Sequence, residues 1–131
     1  MRKGDWPGYV RSVLRIVCGL LFAMHGFQKL IGWPAGMAGH GSPHMWSELW
    51  VAGVLEALGG TLLLVGLITR PVAFLLCGEM AVAYFRAHFP RGFWPIQNGG
   101  ELAVLYCFIF LYLFAAGPGP ISLDRGIRHK Q

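Results

Sequence analysis

Four stretches of this chain, at about residues 10–31, 48–68, 71–88 and 100–116, are apolar almost throughout, and glycine and proline crowd the breaks between them. A run of about 20 such residues spans a bilayer as a helix, and the first, from Val10 to Ile31, measures roughly 33 Å at the helical rise. Composition agrees: 13% of the 131 residues are charged and mean hydropathy is +0.52, where a soluble domain carries about 25% charged residues. The expected fold is all-α, an integral membrane four-helix bundle forming a single domain over residues 1–131.

Local signals mark the ends of the spans. Met1 to Tyr9 holds Gly4, Pro7 and Gly8 and reads as an irregular lead-in, with Trp6 and Tyr9 at the headgroup level. A basic start before an apolar run also fits a cleaved signal peptide, but His25 and Lys29 interrupt the end of the run and Ala35 and Ala38 miss the cleavage spacing. Gly32 to Ser47 is the longest connection, and Ser47-Glu48 predicts a capped helix start. Thr69-Arg70-Pro71 reads as the turn between the second and third helices. Phe89 to Pro95 reads as an aromatic interfacial break, and Gly117-Pro118-Gly119-Pro120 as the stop of the fourth helix.

The formal charge of +5 does not describe a nucleic-acid site. Arg2, Lys3, Arg11 and Arg15 precede the first apolar run and Arg125, Arg128 and Lys130 follow the last, so they read as topology signals. With both termini on one side, that side holds eight of the eleven basic residues, leaving Lys29, Arg86 and Arg91 opposite. The positive-inside rule then puts both termini in the cytoplasm and the loop with His40 and His44 outside.

Polar side chains inside the runs are costly in hydrocarbon and should face protein or a watery cavity. His25, Gln28 and Lys29 share one face of the first helix, because residues three and four apart are neighbours. Measured from the outward helix ends, His25 lies about 9 Å deep, Lys29 about 3 Å, Glu56 about 12 Å and Glu79 about 13 to 14 Å, with Glu101 near the surface. Arg86, two turns from Glu79, extends that seam toward His88. The inner half, at Leu14 to Leu20, Leu62 to Leu67 and Phe108 to Phe114, reads as almost wholly apolar. These positions describe an outward-facing polar pocket closed at its cytoplasmic end. In a competing reading the same charges only pair and hold the bundle together.

Other chemistry finds less support. Two glutamates and a histidine suit a carboxylate metal site, but the Glu-x-x-His repeat of such bundles is missing, and His40 and His44 have no nearby Cys or Asp. No haem, iron–sulfur or dinucleotide motif occurs, so a redox cofactor would be diffusible or held by another subunit. Cys18, Cys77 and Cys107 lie within apolar runs without Cys-x-x-Cys spacing and read as small buried hydrophobes, with a redox thiol the minor alternative. A quinone or small-solute pocket asks least: apolar walls, hydrogen bonds from His25 or Lys29, and a carboxylate for protons.

Several of these residues also carry a resemblance. His25-Gly26-Phe27-Gln28-Lys29, Glu56 before Gly59-Gly60, Gly66-Leu67-Ile68-Thr69-Arg70 and Gly99-Gly100-Glu101-Leu102, in that order, resemble the DoxX family of small bacterial four-helix membrane proteins over about Arg15 to Asp124. The resemblance implies an inner-membrane bundle, in a family named for a subunit of a thiosulfate:quinone oxidoreductase and associated with soluble oxidoreductases or sulfurtransferases. Its motif positions are His25, Gln28, Lys29, Glu56, Arg70 and Glu101; Glu79, Arg86 and His88 enter only through depth. The expectation is a multi-pass inner-membrane protein whose pocket takes part in quinone-linked redox chemistry with a membrane or soluble partner, with an oligomer open. The alternatives are a non-catalytic accessory subunit, docking through Trp33, Trp46, Trp50, Phe93 and Trp94, and a small-solute carrier.

Overall fold

The computed structural model describes residues 3–34 and 43–128, and among them every regular element is helical. A 3-10 turn, Lys3–Asp5, leads into α1 (Trp6–Ile31), followed by α2 (Glu48–Val65) and α3 (Thr69–Ala83). Helical winding continues past α3 through a π turn, Tyr84–His88, and a 3-10 turn, Phe89–Arg91. The short α4 (Pro95–Asn98), α5 (Glu101–Ala116) and α6 (Leu123–Arg128) complete the order. Three windings are long and apolar enough to cross a membrane, at Trp6–Ile31, Glu48–Val65 and Thr69–Arg91; α5 is equally apolar but has 16 residues. Arg2, His40 and Lys130 lie outside the described residues.

The ends depart from the sequence expectation in ways that local chemistry explains. α1 starts at Trp6, ahead of the expected Val10, with Pro7 in its first turn, where a missing N–H costs nothing. α2 stops at Val65 rather than Ile68. Gly66 takes a left-handed conformation (φ +73°) and its N–H bonds the carbonyls of Leu62 and Leu63. Thr69-Arg70-Pro71 is therefore the first turn of α3 and not the break. Its cap comes from a distance: Asp124 accepts from Ile68 N–H at 2.7 Å and Thr69 N–H at 2.9 Å. Ser47 caps α2 as its sequence predicts, accepting from Trp50 N–H at 3.2 Å. The π turn accompanies Pro90, which cannot donate to Arg86, while Phe89 N–H reaches back to the Tyr84 carbonyl.

The chain divides into two compact units, one of residues 1–69 and 118–131, the other of residues 70–117. In the first, α1 and α2 run antiparallel along a seam of small residues. A Cβ on Gly26 would stand 2.7 Å from Ala57 Cα and from the Gly53 carbonyl; one on Gly60, 2.7 Å from Ala23 Cα; one on Gly19, 2.6 Å from Leu64 N. Only glycine allows backbones so close, the device that membrane helices use for packing. In the second unit, α3 buries Val72, Ala73, Leu76 and Met80, and α5 buries Ala103, Tyr106, Phe110 and Leu113, each at helical spacing. Large apolar side chains also cover the outside: Val13, Val17, Leu20 and Leu21 on α1, Phe74, Leu75 and Val82 on α3, Leu105 and Phe108 on α5. Water-soluble monomers rarely expose such continuous apolar faces, and lipid is the solvent that suits them.

Candidate functional site

The glycine seam sets the register that creates the polar site. With Gly26 seated on Gly53 and Ala57, the next turn of α1 brings the Lys29 stem over Gly53, where a Cβ would stand 3.2 Å from Lys29 Cβ. Its ammonium then meets Glu56: Lys29 Nζ to Glu56 Oε2 is 2.6 Å. The Glu56 side chain is 6% exposed and that of Lys29 18%, so the pair is largely withdrawn from its surroundings and the lysine keeps the more open end. His25, one turn along α1 on the same face and half-buried, lies within electrostatic reach of both charges. Gln28 is half-buried on α1, and its carbonyl accepts from Gly32 N–H at the helix end. Of the expected site residues, Lys29 and Glu56 therefore meet within one helix pair, with His25 one turn away on the same face of α1. An ammonium and an imidazole can donate to a ligand oxygen there, while a carboxylate holds or accepts a proton.

The other expected residues belong to the second unit. Glu79 lies in the middle of α3, half-buried, with its Oε2 shielded. Arg86 is exposed on the π turn, and Arg70 opens α3 with its guanidinium against the backbone of Gly117. Glu101, exposed at the start of α5, lines an open groove of about 460 Å³ with Pro95, Ile96, Gly99, Leu102 and Leu105. Among the described residues no three His, Cys, Asp or Glu side chains cluster as a metal site would need.

Three polar groupings were not visible in the sequence. The first corrects the reading of Leu14 to Leu20 as almost wholly apolar: Arg15 lies within α1, 1% exposed. Its Nε donates to the Leu63 carbonyl at 2.8 Å, one Nη to Pro118 and the other to Ile121 at 2.6 Å. Ser12 accepts from Ile121 N–H at 3.1 Å, and Gly119 packs where a Cβ would meet Ser12 N at 3.0 Å. The second lies between α3 and α5. Asn98, 2% exposed, donates to the Gly92 carbonyl at 2.8 Å and to the Tyr84 hydroxyl at 3.2 Å, and accepts from Gly100 N–H at 2.8 Å. Tyr84 donates to the Phe93 carbonyl at 2.5 Å, and His88 Nδ1 lies 3.2 Å from the Asn98 carbonyl. The available signal is Asn98 directly before Gly99-Gly100-Glu101, the start expected for the fourth span. The third is a pair of thiols, with Cys77 Sγ 3.7 Å from Cys107 Sγ, both half-buried and unbridged. The sequence places these two cysteines in apolar runs, and their apposition comes only from the packing of α3 on α5.

A family model described as DoxX matches residues 10–89, the segment that holds α1, α2, α3 and the Lys29–Glu56 pair. This chain belongs to the DoxX family. With three windings able to cross a bilayer, it is a DoxX membrane protein. It is similar to an uncharacterized protein of Haemophilus influenzae, 45% identical over 119 residues that cover 88% of this chain and 89% of the relative. It is also similar to the inner membrane protein YphA of Escherichia coli (strain K12), 31% identical over 134 residues, 90% of this chain and 93% of YphA. A third relative is CatD of Bacillus subtilis (strain 168), whose name assigns it provisionally to the oxidoreductases; it is 27% identical over 117 residues, 86% of this chain and 82% of CatD. No solved structure matches this DoxX chain.

Proposed function

We propose that this protein is a multi-pass subunit or partner in quinone-linked redox or sulfur and oxidative-stress metabolism in a bacterial inner membrane. α5 serves as the fourth span, at the short end of the range. Both termini are cytoplasmic, consistent with the excess of basic residues on that side. The polar face of α1 and α2 opens outward and takes a quinone head group or an anionic substrate. Lys29 and His25 donate to its oxygens, and Glu56 balances charge or handles a proton. Gln28, half-buried on the same face of α1, flanks the head group.

The observation that carries this reading is the 2.6 Å Lys29–Glu56 pair beside His25 on a helix made to lie in lipid. An ion pair needed only as glue would be replaceable by apolar side chains at little loss, whereas ionisable residues within spans generally mark ligand or proton paths. The provisional oxidoreductase name of CatD points the same way. The test is extraction: purify the protein with native lipids and analyse the quinones that accompany it. Quinone in stoichiometric amount in the wild type, and less of it in Glu56→Gln, is the expected result; equal trace amounts in both refute the reading.

A second reading, a non-catalytic accessory subunit, is favoured by the exposed aromatics Trp33, Trp46, Phe93 and Trp94, and by the packing of Phe93 on Trp94 at 5.0 Å. Trp50 is half-buried beneath Trp46. A partner that co-purifies from native membranes, is lost in Trp94→Ala and is kept in Glu56→Gln would select this reading.

A further inference from the structure

The two thiols that meet between α3 and α5 have no part in the Lys29–Glu56 site. They come from positions 30 residues apart, on separate helices of one compact unit, and their sulfurs lie 3.7 Å from each other. A disulfide needs about 2.05 Å, a closure that side-chain rotation supplies once the helices already hold the sulfurs this near. Cys77 lies eight residues into α3, about 12 Å from its start, and Cys107 six residues into α5, about 9 Å from its start. Both sit well within helices whose outer faces carry large apolar residues. Water-borne disulfides and peroxides do not reach such a position readily, but a lipid-soluble oxidant does. The thiols are not sealed in: both are only half-buried, and Gly78, beside Cys77, has nothing within 4 Å of where a Cβ would stand. Phe74 and Phe114, one turn from Cys77 and two turns from Cys107, form an aromatic pair at 5.1 Å along the same helix contact.

We propose that Cys77 and Cys107 are a redox-active dithiol that closes to an intramolecular disulfide by reducing a membrane quinone. The S–S bond forms as two S–H bonds break; the two electrons and two protons pass to the quinone, which becomes the quinol. The proposal rests on the quinone-linked reading above for its electron acceptor, while the apposition of the sulfurs stands independently of it. Cys18, buried on α1 in the other unit, is outside the couple.

The test uses the full chain, reduced, freed of reductant and reconstituted in lipid vesicles. It is exposed separately to diamide and to decylubiquinone, whose fully substituted ring does not add thiols. Each sample is acid-quenched, alkylated with N-ethylmaleimide and weighed intact. With three cysteines in the chain, the expected change is from three adducts to one in both arms, with about one quinol formed per chain and reversal by dithiothreitol. Cys77→Ser and Cys107→Ser each keep their two adducts, while Cys18→Ser falls from two to none. Three adducts after both oxidants overturn the dithiol and leave the quinone-linked reading to its own lipid-extraction test. Closure by diamide without closure by quinone overturns the proposed acceptor and counts against that reading as well. Disulfide-linked dimers in place of the intramolecular bond also overturn the proposal.

Discussion

Lys29 and Glu56 are each held by the other. Removing one leaves a charge withdrawn from water, a loss of about 3 kcal/mol or more when such a pair is fully buried and less here because Lys29 keeps an opening. Lys29→Met and Glu56→Leu are each expected to destabilise the detergent-solubilised protein, and the double variant to recover most of the loss; thermal unfolding of all four proteins checks the cycle. A double variant as unstable as the two singles added together would deny the coupling. Arg15 makes a different kind of contact, three hydrogen bonds to main-chain carbonyls that one planar guanidinium reaches at once. Arg15→Lys keeps the charge but offers no such fork. We expect it to recover only a small part of the stability lost in Arg15→Ala, a loss on the order of 3 kcal/mol for charged hydrogen bonds of this kind, read from the same unfolding curves. The partners of Arg15 are backbone atoms, which explains why it went unseen: a basic residue early in an apolar run looks the same whether it marks sidedness or locks a helix end. His25 and Lys29 were legible because they interrupt an apolar run where nothing local calls for them.

At the scale of elements, α1 and α2 form a ladder with the Arg15 lock at one end, the Lys29–Glu56 pair at the other and glycine between. The two polar ends lie about 21 Å apart along α1. Replacing Gly26 or Gly60 by Val forces the helices apart, since even a Cβ there would stand 2.7 Å from the facing backbone. Each substitution is predicted to abolish monodisperse elution in detergent, whereas Gly78→Ala, which meets open space, leaves elution unchanged. A folded Gly60→Val protein would refute the seam. The small residues around Glu56 were readable as a packing face, but their register was not, because helical periodicity fixes a face and leaves the partner's offset free. The α2–α3 junction was misread by three residues for a related reason. Thr69-Arg70-Pro71 suits a turn as well as a first helical turn, and the cap that decides between them is Asp124, 55 residues away from Thr69.

For the whole molecule, fold class and membrane placement were the most legible properties, because a mean hydropathy of +0.52 and few charges leave a bilayer as the natural solvent. The proposed sidedness rests on the charge bias and is open to direct test. In intact cells, a membrane-impermeant maleimide is expected to label Met45→Cys, in the loop before α2, and to leave Arg125→Cys unlabelled until the membrane is broken. The opposite pattern would reverse the pocket. The meeting of Cys77 with Cys107 and of Asn98 with Tyr84 depends on how helices pair, which one sequence does not encode locally. The site itself is tested most directly by titrating a short-chain quinone into the wild type and Glu56→Gln, both reconstituted in lipid nanodiscs and verified as folded. A saturable wild-type isotherm that weakens at least about tenfold in the variant, a difference of about 1.4 kcal/mol, is the predicted result; indistinguishable isotherms, or no saturable binding in either, would contradict a quinone site at Lys29, His25 and Glu56.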